Sequence, residues 1–217
     1  MTQTSVFETS ADAADRNLIL AALPELERSR LEAHLELVTA EAGAVMAEPD
    51  QPPAHVWFPE TATFAIASMQ APRGVDVSTV GREGMVGIAA FLGADAEPLR
   101  ITCLVPGSAW RLPTSWLMRH ASGGTHLERL LKRYALASLV GATQSAACLG
   151  LHSLDERCAR WMLSVHDTAG STPFPLTHQN LASSLGVRRA GATVAMRALR
   201  DAGAVQYTRG RVSIVDR

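Results

Sequence analysis

Residues 176–215 combine two short amphipathic helical patterns with a tight turn between them. Thr177 precedes the first pattern and belongs to a residue type that caps helix N-termini. Gly186-Val187 forms the turn, where glycine adopts backbone angles that other residues avoid. Ala182 is small enough for two helices to cross, so this segment predicts a helix-turn-helix. The residues predicted to face inward are Leu181, Ala182, Leu185, Val194, Ala195, Ala198 and Leu199.

The second predicted helix begins with Arg188-Arg189. In a helix-turn-helix, the first residues of the second helix reach base edges in the major groove of DNA. Arginine suits this position because its guanidinium can donate two hydrogen bonds to guanine. The start of the first helix can hold phosphate through side chains and backbone amides. The predicted DNA contacts of the two helices are Thr177, Gln179, Arg188, Arg189, Thr193 and Arg197.

Apolar and polar residues alternate on both sides of Arg209-Gly210, which predicts a β-hairpin, or wing. Arg209 and Arg211 lie at its tip and are predicted to contact phosphate. Residues 173–217 contain seven arginines and two aspartates, so this segment carries +5 in a chain whose net charge is −1. A basic segment attached to an acidic body indicates a polyanionic partner. Chance clustering of charge is the alternative explanation.

Residues 125–150 are predicted to form one long helix. Thr125 and Glu128 have the spacing of a capping box, and Leu127, Leu130, Leu131 and Tyr134 form one apolar stripe. Apolar residues continue onto a second face, so the helix can contact both its own domain and a second chain. The predicted dimerisation residues are Leu127, Leu131, Tyr134 and Gly141. A purely intramolecular core helix is the alternative.

Short β-prone stretches alternate with glycine and proline between residues 43 and 113. Such spacing predicts an antiparallel sandwich or roll. The predicted strands are 55–58, 63–67, 75–80, 101–105 and 109–112, and an apolar stretch at 83–92 predicts a short helix. Residues 16–37 carry a leucine pattern broken by Pro24, which predicts two short helices.

This succession resembles the Crp/Fnr superfamily of bacterial transcription regulators. The resemblance covers about residues 17–217. The matching stretches are His55-Val-Trp-Phe-Pro59, Val80-Gly-Arg-Glu-Gly-Met-Val-Gly87, Pro106-Gly107, Glu156-Arg-Cys-Ala-Arg-Trp161, Leu176-Thr177 and Leu185-Gly-Val-Arg-Arg189. The resemblance implies a homodimer that forms through the central helix and binds a palindromic site in double-stranded DNA. The half-sites would lie about one helical turn apart.

The expected fold class is α+β. An N-terminal antiparallel, cyclic-nucleotide-binding-like β-roll is followed by a long central dimerisation helix and a C-terminal winged helix-turn-helix. The expected domain boundaries are 1–14 for a mobile tail, 15–122 for the roll, 123–151 for the dimerisation helix and 152–217 for the DNA-binding domain.

Cyclic-nucleotide-binding members of the superfamily carry a Gly-Glu pair and, about ten residues later, an Arg-Ser or Arg-Thr pair. The positions that correspond here are Gly87-Ile88 and Arg100-Ile101. Ile88 cannot accept a hydrogen bond from ribose, and Arg100 is displaced by about two residues and lacks the hydroxyl neighbour. Glu83 is a nearby carboxylate in the wrong register. A ligand pocket, if the roll has one, is expected at Glu83, Gly87, Ile88 and Arg100, and binding of ordinary cyclic nucleotides is not expected.

No cofactor or metal is expected. The cysteines Cys103, Cys148 and Cys158 are scattered, without the spacing of an iron–sulfur or zinc site, and are expected to be buried. A haem ligand among the seven histidines is a weaker alternative. The chain has no sequence motif of common hydrolases or nucleotide-binding enzymes, and Lys132 is its only lysine. We therefore expect a non-enzymatic cytoplasmic protein, and we find no apolar run of membrane-spanning length.

Three hypotheses remain from the sequence. The first is a dimeric DNA-binding regulator whose roll senses an unidentified ligand. The second is the same regulator with a roll that binds no ligand and serves dimerisation or contact with RNA polymerase. The third is a regulatory module that acts through protein contacts without specific DNA binding. A steep loss of affinity with salt would separate the first two from the third.

Overall fold

A computed structural model describes residues 17–69, 74–169 and 173–217. The predicted tail, residues 1–14, lies outside the described residues. The N-terminal part contains α1 (Leu18–Ala21), α2 (Glu25–Glu32), β1 (Glu36–Ala40), β2 (Val45–Ala47), β3 (His55–Pro59), β4 (Thr63–Ser68), β5 (Val75–Val80), α3 (Ile88–Phe91), β6 (Arg100–Val105), β7 (Gly107–Pro113) and α4 (Thr114–His120). The rest contains α5 (His126–Leu151), α6 (Leu154–Ala169), β8 (Phe174–Pro175), α7 (His178–Leu185), α8 (Arg189–Asp201), β9 (Val205–Thr208) and β10 (Arg211–Ile214).

The N-terminal strands form the predicted antiparallel roll from two sheets. One sheet has the order β1-β7-β3 and the other β2-β6-β4-β5. A core that includes Phe64, Ile101 and Cys103 fills the space between the sheets. A second core lies between the first sheet and the helices α1, α2, α4 and α5, and it contains Phe58 and Leu112. The five predicted strands are all present, and each agrees with its predicted bounds to within one or two residues.

The sequence prediction is wrong at three places in the roll. The helical pattern was predicted to extend to residue 37, whereas α2 ends at Glu32 and residues 36–40 form a strand. Strand β2 was not predicted. The helix predicted at 83–92 is one turn, Ile88–Phe91, because Gly87 precedes it with a φ of +89°, a conformation that L-residues rarely adopt.

Helix α5 begins as its sequence predicts. The Thr125 side chain accepts a hydrogen bond from the Glu128 amide at 3.2 Å, and the Glu128 carboxylate accepts one from the Gly124 amide at 2.7 Å. Among the described helices, α5 alone is long and apolar enough to cross a membrane, judged by length and composition only. Only 6% of its most apolar stretch is buried. The expectation that no apolar run reaches this length is therefore corrected.

The C-terminal domain consists of α6, α7 and α8, followed by a three-stranded sheet of order β8-β10-β9. A capping box also starts α6, where the Glu156 carboxylate accepts a hydrogen bond from the Ser153 amide at 2.8 Å. Further along α6, Arg160 donates a hydrogen bond to the Ser145 hydroxyl of α5 at 3.2 Å.

The roll and the C-terminal domain share one hydrophobic cluster. Ala65, Leu104 and Val105 of the roll pack with Met162 of α6 and with the core of the C-terminal domain. Close to this cluster, the Ser184 hydroxyl of α7 donates a hydrogen bond to the Asp76 carboxylate of β5. The two domains are therefore in direct contact through apolar and polar groups.

Candidate nucleic-acid interface

The turn between α7 and α8 has the geometry that the sequence predicts. Gly186 ends α7 with a φ of +65°, which favours glycine. The side chains of Leu181, Ala182, Ala192 and Ala195 are buried where the two helices cross. These small and apolar residues fix α8 against α7 and leave the opposite side of α8 in solvent.

The outward face of α8 consists of Arg188 at the N-cap, Arg189, Ala190, Val194 and Arg197, all of which are exposed. Val194 was predicted to face inward, but 66% of its surface is accessible. Met196 takes the inward position and is buried. Helix α8 carries valine and alanine on both its inner and its outer side. The apolar pattern therefore did not show which side Val194 faces.

Thr193 lies beside this face, but its hydroxyl is held within the protein. It donates a hydrogen bond to the Arg189 carbonyl at 2.9 Å, and it lies 2.8 Å from the Nδ1 atom of His178. The His178 ring also contacts the ring of Tyr207, with 5.1 Å between centroids. His178 thus connects α7, α8 and β9, a role that the sequence did not indicate.

The start of α7 is capped by Thr177, as predicted. Its hydroxyl accepts a hydrogen bond from the Asn180 amide at 3.0 Å. Gln179, in the first turn, is exposed. The side chain of Thr177 is therefore used within the helix, while Gln179 is exposed to solvent.

The wing is a tight hairpin. Arg209 and Gly210 form its turn with φ values of +51° and +78°, as in the turns that favour two-residue hairpins. Arg209 is exposed at the tip. Arg211 was predicted to contact phosphate, whereas here its guanidinium donates a hydrogen bond to the Pro173 carbonyl at 2.5 Å.

The arginines of the C-terminal segment fall into two groups. Arg200 pairs with Asp201 at 2.9 Å, Arg217 pairs with Asp167 at 2.6 Å, and Arg211 is engaged as above. The other four make no ion pair or side-chain hydrogen bond within the described parts of the chain. These free arginines are Arg188, Arg189, Arg197 and Arg209. Within residues 173–217, the unpaired positive charge thus lies on α8 and at the wing tip.

The residues expected for a ligand pocket in the roll form contacts within the roll itself. Glu83 accepts a hydrogen bond from the Gly81 amide at 2.9 Å, and Arg100 forms an ion pair with Glu48 at 2.7 Å. Ile88 packs on the core of the roll, and Gly87 caps α3. Position 88 holds no carboxylate, and the Arg100 guanidinium already has an anionic partner in Glu48.

Three of the four residues predicted for dimerisation face the roll. Leu127 and Leu131 are buried in its core. The Tyr134 hydroxyl donates to the Met85 carbonyl at 3.0 Å, and burial raises the pKa of Tyr134 to about 12. Gly141 is partly buried and lines a cavity of about 750 Å³ between α5, β5 and α6. The prediction placed a contact on the inner side of α5, whereas its exposed apolar residues lie elsewhere: Leu136, Leu139, Val140, Leu149 and Leu151.

The three cysteines are free and buried. Burial raises the pKa of Cys103 to about 11 and that of Cys158 to about 12, so both are held as thiols. Within residues 17–69, 74–169 and 173–217, no group of three or more His, Cys, Asp or Glu side chains is placed to hold a metal ion.

This geometry defines a winged helix-turn-helix protein with an N-terminal roll. The family model of the Crp-like helix-turn-helix domain matches residues 156–217. A search of curated protein sequences finds no significant match.

Solved structures of regulators share the fold along most of the chain. FixK2 from Bradyrhizobium japonicum has a TM-score of 0.71 at 14% identity, over 83% of this chain and 92% of that one. A Crp/Fnr-family transcriptional regulator from Thermus thermophilus has a TM-score of 0.67 at 19% identity, over 83% and 94%. The c-di-GMP-responsive global regulator CLP of Xanthomonas campestris has a TM-score of 0.69 at 14% identity, over 88% and 99%. Residues 156–217 therefore form a Crp-like helix-turn-helix domain, and the described chain has the fold of Crp/Fnr transcription regulators.

Proposed function

We propose that this chain is a cytoplasmic, sequence-specific DNA-binding transcription regulator that acts as a homodimer. The observation that carries the proposal is the concentration of free arginines on α8 and the wing tip, in a domain of the Crp-like helix-turn-helix family. Arginines without a carboxylate partner are available to DNA, and those on the first turn of a second helix are placed to reach bases. No enzymatic activity is proposed.

The free arginines take different roles in this proposal. Arg188 and Arg189 enter the major groove, where each can donate two hydrogen bonds to a guanine. Arg197 lies about two turns further along α8 and contacts the groove edge or phosphate. Arg209 at the wing tip contacts phosphate, as do the amides at the start of α7 beside Gln179. Thr193 supports the Arg189 backbone and does not read bases through its hydroxyl.

A second copy of the chain covers the exposed side of α5. Leu136, Leu139 and Val140 expose 62%, 61% and 46% of their surface, and exposed leucines and valines at helical spacing favour pairing of helices. The same apolar face accounts for the membrane-like composition of α5. A dimer with this helix pair presents two copies of α8 and therefore binds a palindromic site with half-sites about one turn of DNA apart.

The roll does not respond to ordinary cyclic nucleotides in this proposal, since Ile88 and the paired Arg100 replace the groups that would bind one. It either senses another signal or serves dimerisation and contact with RNA polymerase. The binding experiment below distinguishes the two, because a roll that needs a ligand leaves the free protein without a specific site.

The test is selection of genomic DNA fragments by the purified full chain at about 0.1 M salt, where surface charges are well screened. We expect a two-fold symmetric site. Arg189→Ala should relax the preference at one position of the selected site, and Arg200→Ala is the matched control because Arg200 lies on the same helix but is paired with Asp201. Sequence-independent, salt-sensitive binding would show that an activating ligand is missing. Retention of no DNA would overturn the proposal in favour of a protein-contact module.

A further inference from the structure

The outward face of α8 is not uniformly basic. Ala190 and Val194 lie between the arginines of its first turn and Arg197, one helical turn apart, and both are exposed. Val194 exposes 66% of its surface, more than any other valine among the described residues. Two apolar side chains therefore lie within the surface that the proposed function assigns to DNA.

Folding does not account for Val194. The inner side of α8 is filled by Ala192, Ala195 and Met196, all buried. Valine is also a weaker helix former than alanine, leucine or arginine. An exposed valine in mid-helix thus gains neither burial nor helix propensity, and its side chain is available to a partner.

The chemistry of base edges limits which group can be the partner of Val194. The isopropyl group of Val194 and the methyl group of Ala190 neither donate nor accept hydrogen bonds. The one apolar feature of the major-groove edges of the four bases is the 5-methyl group of thymine. The flanking arginines and the +5 charge of residues 173–217 favour DNA over an apolar protein surface, which would leave these charges without partners.

We infer that Val194, together with Ala190, is a specificity-determining residue that selects thymine in each half-site by contact with its 5-methyl group. The inference rests on the proposed function. Arg189 and Val194 are five residues apart, roughly 7.5 Å along the helix axis, a distance of about two base-pair steps. The selected thymine therefore lies within a few base pairs of the guanine that Arg189 contacts.

The experiment uses the full chain and the site recovered by selection. Each thymine of the half-site is replaced in turn by deoxyuridine, which removes the 5-methyl group and keeps every hydrogen bond, and affinity is measured by fluorescence anisotropy. At one position we expect about a fourfold loss of affinity, the size expected for one buried methyl group. Val194→Ala should remove most of that loss while binding the unmodified site more weakly.

Val215→Ala is the matched control, because Val215 is also an exposed valine, at 56%, but lies beyond the wing. It should retain the full deoxyuridine penalty. Val194→Thr keeps the shape of the side chain and checks that the loss of affinity is not a folding defect. It should stay as helical as the wild type by circular dichroism. Specific binding with no deoxyuridine penalty, or with the same penalty in Val194→Ala, overturns this inference alone. Absence of any specific binding overturns the proposed function and this inference with it.

Discussion

The Ser184 hydroxyl donates a hydrogen bond to the Asp76 carboxylate across 108 residues of sequence and between two domains. Ser184 is buried in α7, and Asp76 lies on β5 at the edge of the roll. Beside them, a Cβ atom at Gly186 would lie 3.3 Å from a methyl group of Val75. The turn of the helix-turn-helix therefore sits directly against β5.

Asp76→Asn should stabilise the protein at neutral pH. Burial raises the pKa of Asp76, and the Ser184 hydrogen bond lowers it only in part. The folded chain therefore holds this proton more tightly than the unfolded chain, so the favourable contribution exists at acid pH and is lost as pH rises through the raised pKa. The asparagine oxygen still accepts from Ser184 but carries no charge.

Thermal unfolding between pH 4 and pH 8 measures this effect. The variant's advantage should be largest at pH 8 and should shrink toward acid pH, where the wild-type carboxyl is itself protonated. Asp95→Asn, at an exposed position, is the control and should show no such trend. A lower melting temperature for Asp76→Asn at pH 8 would mean that the contact requires the charge.

Arg189→Ala and Arg209→Ala should weaken DNA binding in different ways. Loss of a bidentate contact to guanine should cost about 1–3 kcal/mol and relax the preference at one position. Loss of a phosphate contact should weaken binding equally for all sequences and reduce the salt slope by about 1. Titrations of matched and mutated sites at several salt concentrations measure both effects. An unchanged preferred sequence in Arg189→Ala would show that α8 is not the recognition helix.

Leu139→Asp should dissociate the proposed homodimer and leave each chain folded, because Leu139 is exposed on α5 and the charge would face its copy. Leu92→Asp, at a leucine that is 64% exposed on the roll, is the control and should remain a dimer in sedimentation velocity. The sequence pattern had predicted Leu131 as a dimerisation residue. Leu131→Asp should instead unfold the roll, since Leu131 is fully buried. A dimeric Leu139→Asp would rule out this face as the interface.

Thr177→Ala should destabilise the C-terminal domain by about 1 kcal/mol, the usual cost of removing an N-cap hydroxyl. Thr177→Ser keeps the acceptor for the Asn180 amide and should be close to the wild type. Chemical denaturation measures the difference. If both variants retain wild-type stability, the cap contributes nothing to the fold of the domain.

The helix-turn-helix was readable from the sequence because its determinants are local. Thr177 caps the start of α7, Gly186 forms the turn before α8, and the Arg209-Gly210 pair closes the β-hairpin of the wing. Each of these roles involves only the residue's own backbone and its immediate neighbours. The capped start of α5 was predictable for the same reason. The family resemblance then supplied the order of the domains.

Several failures of the sequence prediction concern which side of a helix a residue faces. Leu127, Leu131 and Val194 lie in helices that are apolar on more than one side, so periodicity alone does not choose between the core and the surface. Strand β1 was missed because Leu35 and Val38 continue a helical spacing past the true end of α2. The link between His178 and Thr193 joins residues that only the tertiary fold brings together.

The C-terminal domain shares an apolar cluster with Ala65, Leu104 and Val105 of the roll. This cluster limits how the domains of this protein can be exchanged with those of another. Grafting residues 152–217 onto another regulator would leave Met162 and its neighbours without the surface they pack on. A chimera would therefore need those three roll positions transplanted along with the domain. The C-terminal unit is therefore not an interchangeable module.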